Sequence, residues 1–191
     1  MKTLLAILAL GLGCGAALAQ DPRPVRPIVG IGLTYGGETL AEVTYNNGWT
    51  EKIKSGGLFV AHAGAEFRLG DLVDLQATVG YHVDSSDARN GGLRFSRYPV
   101  DVIALFRVAP QFRLGFGFQH VNSAKLAGSG DLDNIAVDYK SATGGLVEGE
   151  YLFWPGFGVK VRGVSLKYRP SDGGQRVDGS HLGVLLNYYF W

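Results

Sequence analysis

The residues with which this chain of 191 amino acids could do chemistry are few, and most stand alone. Gln119-His120-Val121-Asn122-Ser123 sets an imidazole within three residues of a hydroxyl, the minimum for a base-activated nucleophile. In an extended strand, side chains alternate between faces, so Ser123 falls on the face opposite His120, where base and nucleophile do not meet. His62 and His82 supply two imidazoles but no third convergent ligand, a poor zinc site. Asp131-Leu132-Asp133-Asn134 has the flavour of a calcium loop without its spaced ligands or distal glutamate. Gly30-Ile31-Gly32 is not a phosphate loop, because no helix follows it. No catalytic, cofactor-binding or metal residue is therefore assigned, and no cofactor is expected.

The elements that hold these residues begin with a targeting segment. Lys2, the apolar run Leu4 to Leu12 and the small-residue site Ala17-Leu18-Ala19 read as a signal peptide over residues 1–19. The run is too short to cross a bilayer as a helix. Cys14 after Gly13 resembles the end of a lipobox, yet Gly11 stands where that motif wants a branched apolar residue, so cleavage after Ala19 is preferred. Cleavage there removes the only cysteine, and with it any thiol chemistry. It also removes Lys2, so 18 basic residues become 17 against 17 acidic ones and the formal charge falls from +1 to 0. A neutral chain argues against nucleic acid as a partner. Its 18% of charged residues lies below the roughly 25% of soluble domains, and 29 glycines are about twice the usual share.

Residues 20–27 are proline-rich and read as a periplasmic lead-in, since proline cannot join a ladder interior. From residue 28 to 191 the chain alternates with period two, the mark of strands with two unlike faces. Eight strands are predicted. Their apolar faces run Val29 to Tyr35, Phe59 to Phe67, Leu75 to Val83, Val100 to Val108, Phe112 to Phe118, Val147 to Phe153, Val159 to Tyr168 and Leu182 to Phe190. The seventh changes parity at Val164, Leu166 and Tyr168, which predicts a β-bulge near Gly163.

The connections alternate as well. Residues 70–74, 109–111 and 155–156 are short, whereas 84–95, 122–141 and 170–179 are long, polar loops. A further hairpin, Thr39 to Tyr45 and Trp49 to Ile53 around Asn46-Asn47-Gly48, could extend the first loop, add two strands or fold over the mouth as a lid.

Three features turn the apolar face toward lipid. The other face is glycine, threonine, glutamine and isolated charges, too sparsely charged for a soluble exterior. Aromatics (Tyr35, Tyr81, Phe95, Tyr98, Phe112, Trp154, Phe157 and Tyr168) gather at strand ends as two girdles. The chain ends on Asn187-Tyr188-Tyr189-Phe190-Trp191, an alternating aromatic strand resembling an outer-membrane assembly signal, with Trp191 one residue beyond the usual terminal Phe. Because an open strand edge is costly in hydrocarbon, strand eight must close on strand one.

The pattern resembles the small eight-stranded outer-membrane proteins of the OmpA/OmpX type over nearly the whole mature chain. The resemblance implies an all-β, eight-stranded antiparallel up-and-down transmembrane β-barrel in the outer membrane of a Gram-negative-type bacterium. It also implies outer-membrane lipid and lipopolysaccharide as neighbours, the barrel-assembly machinery as a partner of the C-terminal strand, and an extracellular ligand for the loops. Around His120 the sequence also resembles the lipid A 3-O-deacylases. It departs from their His-x-Ser pattern, since Asn122 holds the serine position and Asn134 that of the glutamate. The expected role is structural, adhesive or loop-mediated, without a wide pore and without enzymatic activity. A lipid-modifying enzyme and a narrow channel or solute binder are the alternatives.

A lumen bounded by eight strands is just wide enough for side chains. Glu66, Arg68, Gln76, Asp101, Arg107, Arg113, Gln119, Glu148, Glu150, Lys160 and Arg162 should fill it as a polar core. Arg107 and Arg113 face each other across residues 109–111, and Glu148 or Glu150 is expected between them.

Overall fold

A computed structural model describes residues 24–44, 50–88 and 91–190. The signal peptide at 1–19, residues 20–23 of the lead-in, the turn Asn46-Asn47-Gly48 and Trp191 lie outside the described residues. Period-two alternation becomes strand almost everywhere else: β1 (Val25–Gly36), β2 (Thr39–Thr44), β3 (Thr50–Lys54), β4 (Leu58–Arg68), β5 (Val73–Ala88), β6 (Gly91–Ala109), β7 (Phe112–Gly130), β8 (Ala136–Tyr139), β9 (Ala142–Trp154), β10 (Phe157–Ser165), β11 (Lys167–Tyr168), β12 (Val177–Asp178) and β13 (His181–Tyr189).

Eight of these form a closed antiparallel barrel, in the order β1-β4-β5-β6-β7-β9-β10-β13 and back to β1. Closure is the predicted one: Val29 pairs with Tyr188 and continues in register to Gly36 with His181. Val29, Ile31, Leu33 and Tyr35 on β1, Phe112, Leu114, Phe116 and Phe118 on β7, and Leu182, Val184 and Leu186 on β13 are exposed on the outer wall. Such a continuous apolar belt has lipid, not water, as its solvent.

β5, β6 and β7 are 16, 19 and 19 residues long. A tilted strand needs only about 9–11 residues to cross the hydrocarbon, so these three project beyond it. The expected long loops at 84–95 and 122–141 are therefore largely ladder. Ser85 pairs with Arg94, Phe95 with Leu126, and Leu126 in turn with Val137 of β8. Of the segment 170–179, Val177 and Asp178 form β12, paired with β11. What the polar composition concealed is an inner apolar row in this crown.

Phe95, Leu93, Val121, Leu126, Tyr139, Leu166 and Tyr168 pack there as a buried cluster, with Phe95 edge-on to both Tyr139 and Tyr168. Phe95 and Tyr168, expected in the lipid girdles, are instead fully buried. The same cluster removes the predicted bulge at Gly163. β10 pairs without a register shift from Gly158 through Ser165, so Val164 keeps its parity and points inward, and Leu166 and Tyr168 are buried with it. The apparent parity change is a change in the polarity of the lumen. Register shifts occur instead where Phe157 meets β9 and where β6 meets β7 at Arg97/Pro99 and Arg107/Ala109.

The residue 39–53 hairpin is a separate two-stranded sheet, β2–β3, not part of the barrel wall. Its base is tied down: Ile53 is buried in the crown cluster, and Ser55, Gly56 and Gly57 are buried beside it.

Candidate functional site

The lumen is occupied by ion pairs, from the end that carries the short turns upward. At the bottom Arg113 on β7 reaches three carboxylates: Glu150 on β9 (Nη2–Oε2 2.5 Å), Glu66 on β4 (Nη1–Oε2 2.8 Å) and Asp74 on β5 (Nη1–Oδ2 3.1 Å). Asp74 also accepts from Arg107 at 2.6 and 2.8 Å. The carboxylate between the two arginines is thus Asp74, not Glu148 or Glu150. Asp74 stands opposite Leu105 in the β5–β6 ladder, two residues from Arg107 and on the same lumen face. Arg26 bonds Glu66, and the Tyr189 hydroxyl donates to Glu150.

The middle of the lumen belongs to Glu148. It accepts from Lys160 at 2.5 Å and from Arg162 at 2.8 Å, while Arg162 extends to Asp101 at 2.6 Å and Lys160 to Gln76 at 2.7 Å. Gln119 donates to the other oxygen of Asp101 at 3.0 Å. Charges this deep are tolerable only when paired, because desolvating each ion costs several kcal/mol. Ile103, Leu105, Leu146 and Leu185 fill the remaining space, so the interior is less polar than the sequence implied. Above this network a chamber of about 10 Å³, room for a single water, is bounded by His62, Gln119 and Arg162 among others.

The upper end is closed by a latch. Arg97 on β6 is fully buried and donates to the carbonyl oxygens of Ser55 and Gly57 (3.2 Å for the latter), both on the segment that follows β3. Its guanidinium also lies 2.8 Å from the His82 ring, whose Nε2 is 2.7 Å from the Thr34 hydroxyl. Lys54 N–H donates to Asp84 at 2.8 Å, and the Ser55 hydroxyl donates to the Asp178 carbonyl at 2.5 Å. The hairpin base is therefore fastened over the mouth by β5, β6 and β12. In the crown, burial pushes the Tyr139 and Tyr168 hydroxyls above their ordinary pKa, so both stay neutral across physiological pH.

Placement of the singled-out residues follows from this frame. His62 and His82 share the lumen face of adjacent strands, and His181 joins them, its ring 5.2 Å from that of His82. His181 was missed because it stands at the first position of β13, before its apolar run begins. Among the described residues no group of three or more His, Cys, Asp or Glu is placed to hold a metal ion. Asp131 to Asn134 make the turn between β7 and β8. His120 faces outward, as its parity predicts. Its Nδ1 lies 2.7 Å from the Thr143 hydroxyl of β9, and its Nε2 lies 3.2 Å from Asn122 Oδ1. The hydroxyl that meets the imidazole is Thr143, its cross-strand partner, and not Ser123.

No family model matches the chain, and no curated protein does. Among solved structures, Ail, the attachment invasion locus protein of Yersinia pestis, is similar over 87% of this chain and 97% of its own, at 11% identity and a TM-score of 0.52. It was solved in complex with the heparin analogue sucrose octasulfate. Neisserial surface protein A is similar over 90% of this chain and all of its own, again at 11% identity and a TM-score of 0.52. At such identities the likeness is one of fold: the small eight-stranded outer-membrane β-barrel.

Proposed function

We propose that this chain, having the fold of the small outer-membrane barrels, is exported by the segment before Gln20 and works in the outer membrane as a closed barrel. It conducts nothing, and it holds a rigid β-crown outside the membrane as an interaction surface. The observation that carries this reading is the lumen: Arg113, Lys160 and Arg162 are each paired with carboxylates inside it, and Arg97 latches the hairpin base over its mouth. A solute path would have to break several buried ion pairs at once. The crown, by contrast, is built for presentation. Its inner face has its own apolar core, so its outer face is free to carry Arg94, Lys125, Asp138, Lys140 and Arg169, all exposed.

Two measurements test it together. In planar bilayers the purified protein should show no unitary conductance, and a stable open level would overturn the closed barrel. A sulfated saccharide is the first probe for the crown, given the ligand in the Ail complex. Sucrose octasulfate should bind in a salt-dependent manner and weaken when Arg94 and Lys125 are replaced by alanine. Binding that ignores both salt and these substitutions would place the interaction elsewhere.

A further inference from the structure

The outer wall is notched just below the crown, across β9, β10, β13 and β1. The notch is a shallow groove, open to the outside, with about 680 Å³ of space over an almost wholly apolar lining. Its floor is made by Gly145 and Gly163, outward-facing residues of neighbouring strands, and its sides by Tyr35, Val147 and Leu182. Other outward positions are small too, among them Ala61, Ala63 and Gly149, but the neighbours of this pair carry bulk: Phe118, directly across from Gly145 on β7, is 68% exposed.

The barrel does not require glycine at these two places. A Cβ at Gly64 would come within 2.0 Å of the Ala77 carbonyl oxygen, and one at Gly117 within 2.1 Å of that of Val102, so those glycines are fixed by crowding. A Cβ at Gly145 would meet nothing within 4 Å, and one at Gly163 would make only ordinary contacts at 3.4 and 3.6 Å. Neither has a positive φ. What glycine supplies at both positions is empty space on a lipid-facing wall.

The rim of the notch is polar and carries cations on two sides. Lys54 Nζ sits 3.9 Å above the Tyr35 ring and donates to its hydroxyl at 2.7 Å. Beyond Ser165, exposed Lys167 is the next outward position. Thr143, two residues above Gly145, holds His120 beside it. The acidic groups nearby are Asp178, opposite Lys167 and accepting from Ser180 N–H at 2.9 Å, and Glu38, which accepts from Asp178 N–H at 3.2 Å.

The geometry points to a seat for one acyl chain of the lipid A moiety of lipopolysaccharide, its phosphate against Lys54 and Lys167 and its sugar hydroxyls against Thr143, His120 and Ser165. The hydroxyl and imidazole groups favour a saccharolipid over a glycerophospholipid, which offers fewer hydrogen-bonding groups at that height. This assignment rests on the outer-membrane placement proposed above but not on the closed lumen.

Native mass spectrometry of the detergent-purified mature chain, titrated with hexa-acylated lipid A and separately with phosphatidylglycerol, tests it. Wild type should retain lipid A in preference. Gly145→Leu, which fills the notch, should weaken retention about tenfold with an unchanged unfolding temperature, and Lys54→Gln should weaken it less. Should Gly145→Leu alter the unfolding temperature, Gly163→Val carries the same comparison. Equal retention by wild type and the filled variants, or equal retention of phosphatidylglycerol, overturns the seat. Conductance separates the two readings: a silent bilayer without lipid preference sinks the notch alone, and an open pore with lipid preference sinks the closed lumen alone.

Discussion

The membrane-level barrel and the crown above it are built from the same strands with opposite polarity. Along β6, Val102 and Phe106 face out while Asp101 faces in; thirteen residues nearer the crown tip than Phe106, Leu93 is buried, and Arg94 beside it faces out. β6 keeps the same parity throughout, the register shift at Arg97/Pro99 being taken up by β7; what changes along β6 is the medium outside it. In lipid the wall must be apolar and the lumen can hold charge only as pairs. In water the ordinary arrangement returns, with apolar side chains inside and charges outside. A single ladder thus carries two folding logics, divided near the level of Tyr98, His120 and Tyr35.

The sharpest way to break this contrast is to unpair the lumen. Glu148→Gln leaves Lys160 and Arg162 buried without their shared carboxylate and should cost about 3–5 kcal/mol, read as a lower unfolding temperature in a heat-dependent gel shift. Adding Lys160→Met to it should recover part of that loss, because the uncompensated charge is removed. If the double variant is as unstable as the sum of the two single ones, the pair is not coupled.

A gentler test places the same side chain in the two media. Val102→Arg, at mid-height on the lipid-facing wall, should cost about 2–4 kcal/mol. Ala136→Arg, exposed on β8 in the crown, should leave stability unchanged. Equal effects at the two sites would mean that the boundary has been drawn in the wrong place. Smallest of all, Ile53→Val trims the plug that the hairpin base drives into the crown and should cost about 0.5–1.5 kcal/mol. That loss should appear as faster proteolysis of residues 39–57 with the barrel's own unfolding unaltered, and a global shift would show that crown and barrel unfold as one unit.

Legibility in the sequence tracked this same division. Within the membrane, alternation, short turns and the aromatic C-terminal strand foretold eight strands, their outward faces and the closure of β13 on β1. All of these depend on neighbours two residues apart. The crown resembles loop in sequence because its residues are polar on average, and averaging hides the inward row of Leu93, Phe95 and Leu126. Tyr168 looks like a girdle residue in sequence because an aromatic at a strand end has the same pattern whether it meets lipid or a second aromatic. The outward face of His120 was legible. Its partner Thr143 is not, since which β9 residue stands opposite is set by the register of the β7–β9 pair, and parity alone does not specify register across the long connection between those strands.

By itself the chain's alternation determined that there would be strands, which face of each would meet lipid, and roughly where they would turn. Only the closed cylinder decided that Asp74 would bridge Arg107 and Arg113, that Arg97 would latch the hairpin base, and that two outward glycines would leave one notch. Strand parity is a local property, fixed by backbone stereochemistry at every second residue. Contacts across a barrel depend on tilt and stagger, which are properties of the whole ring.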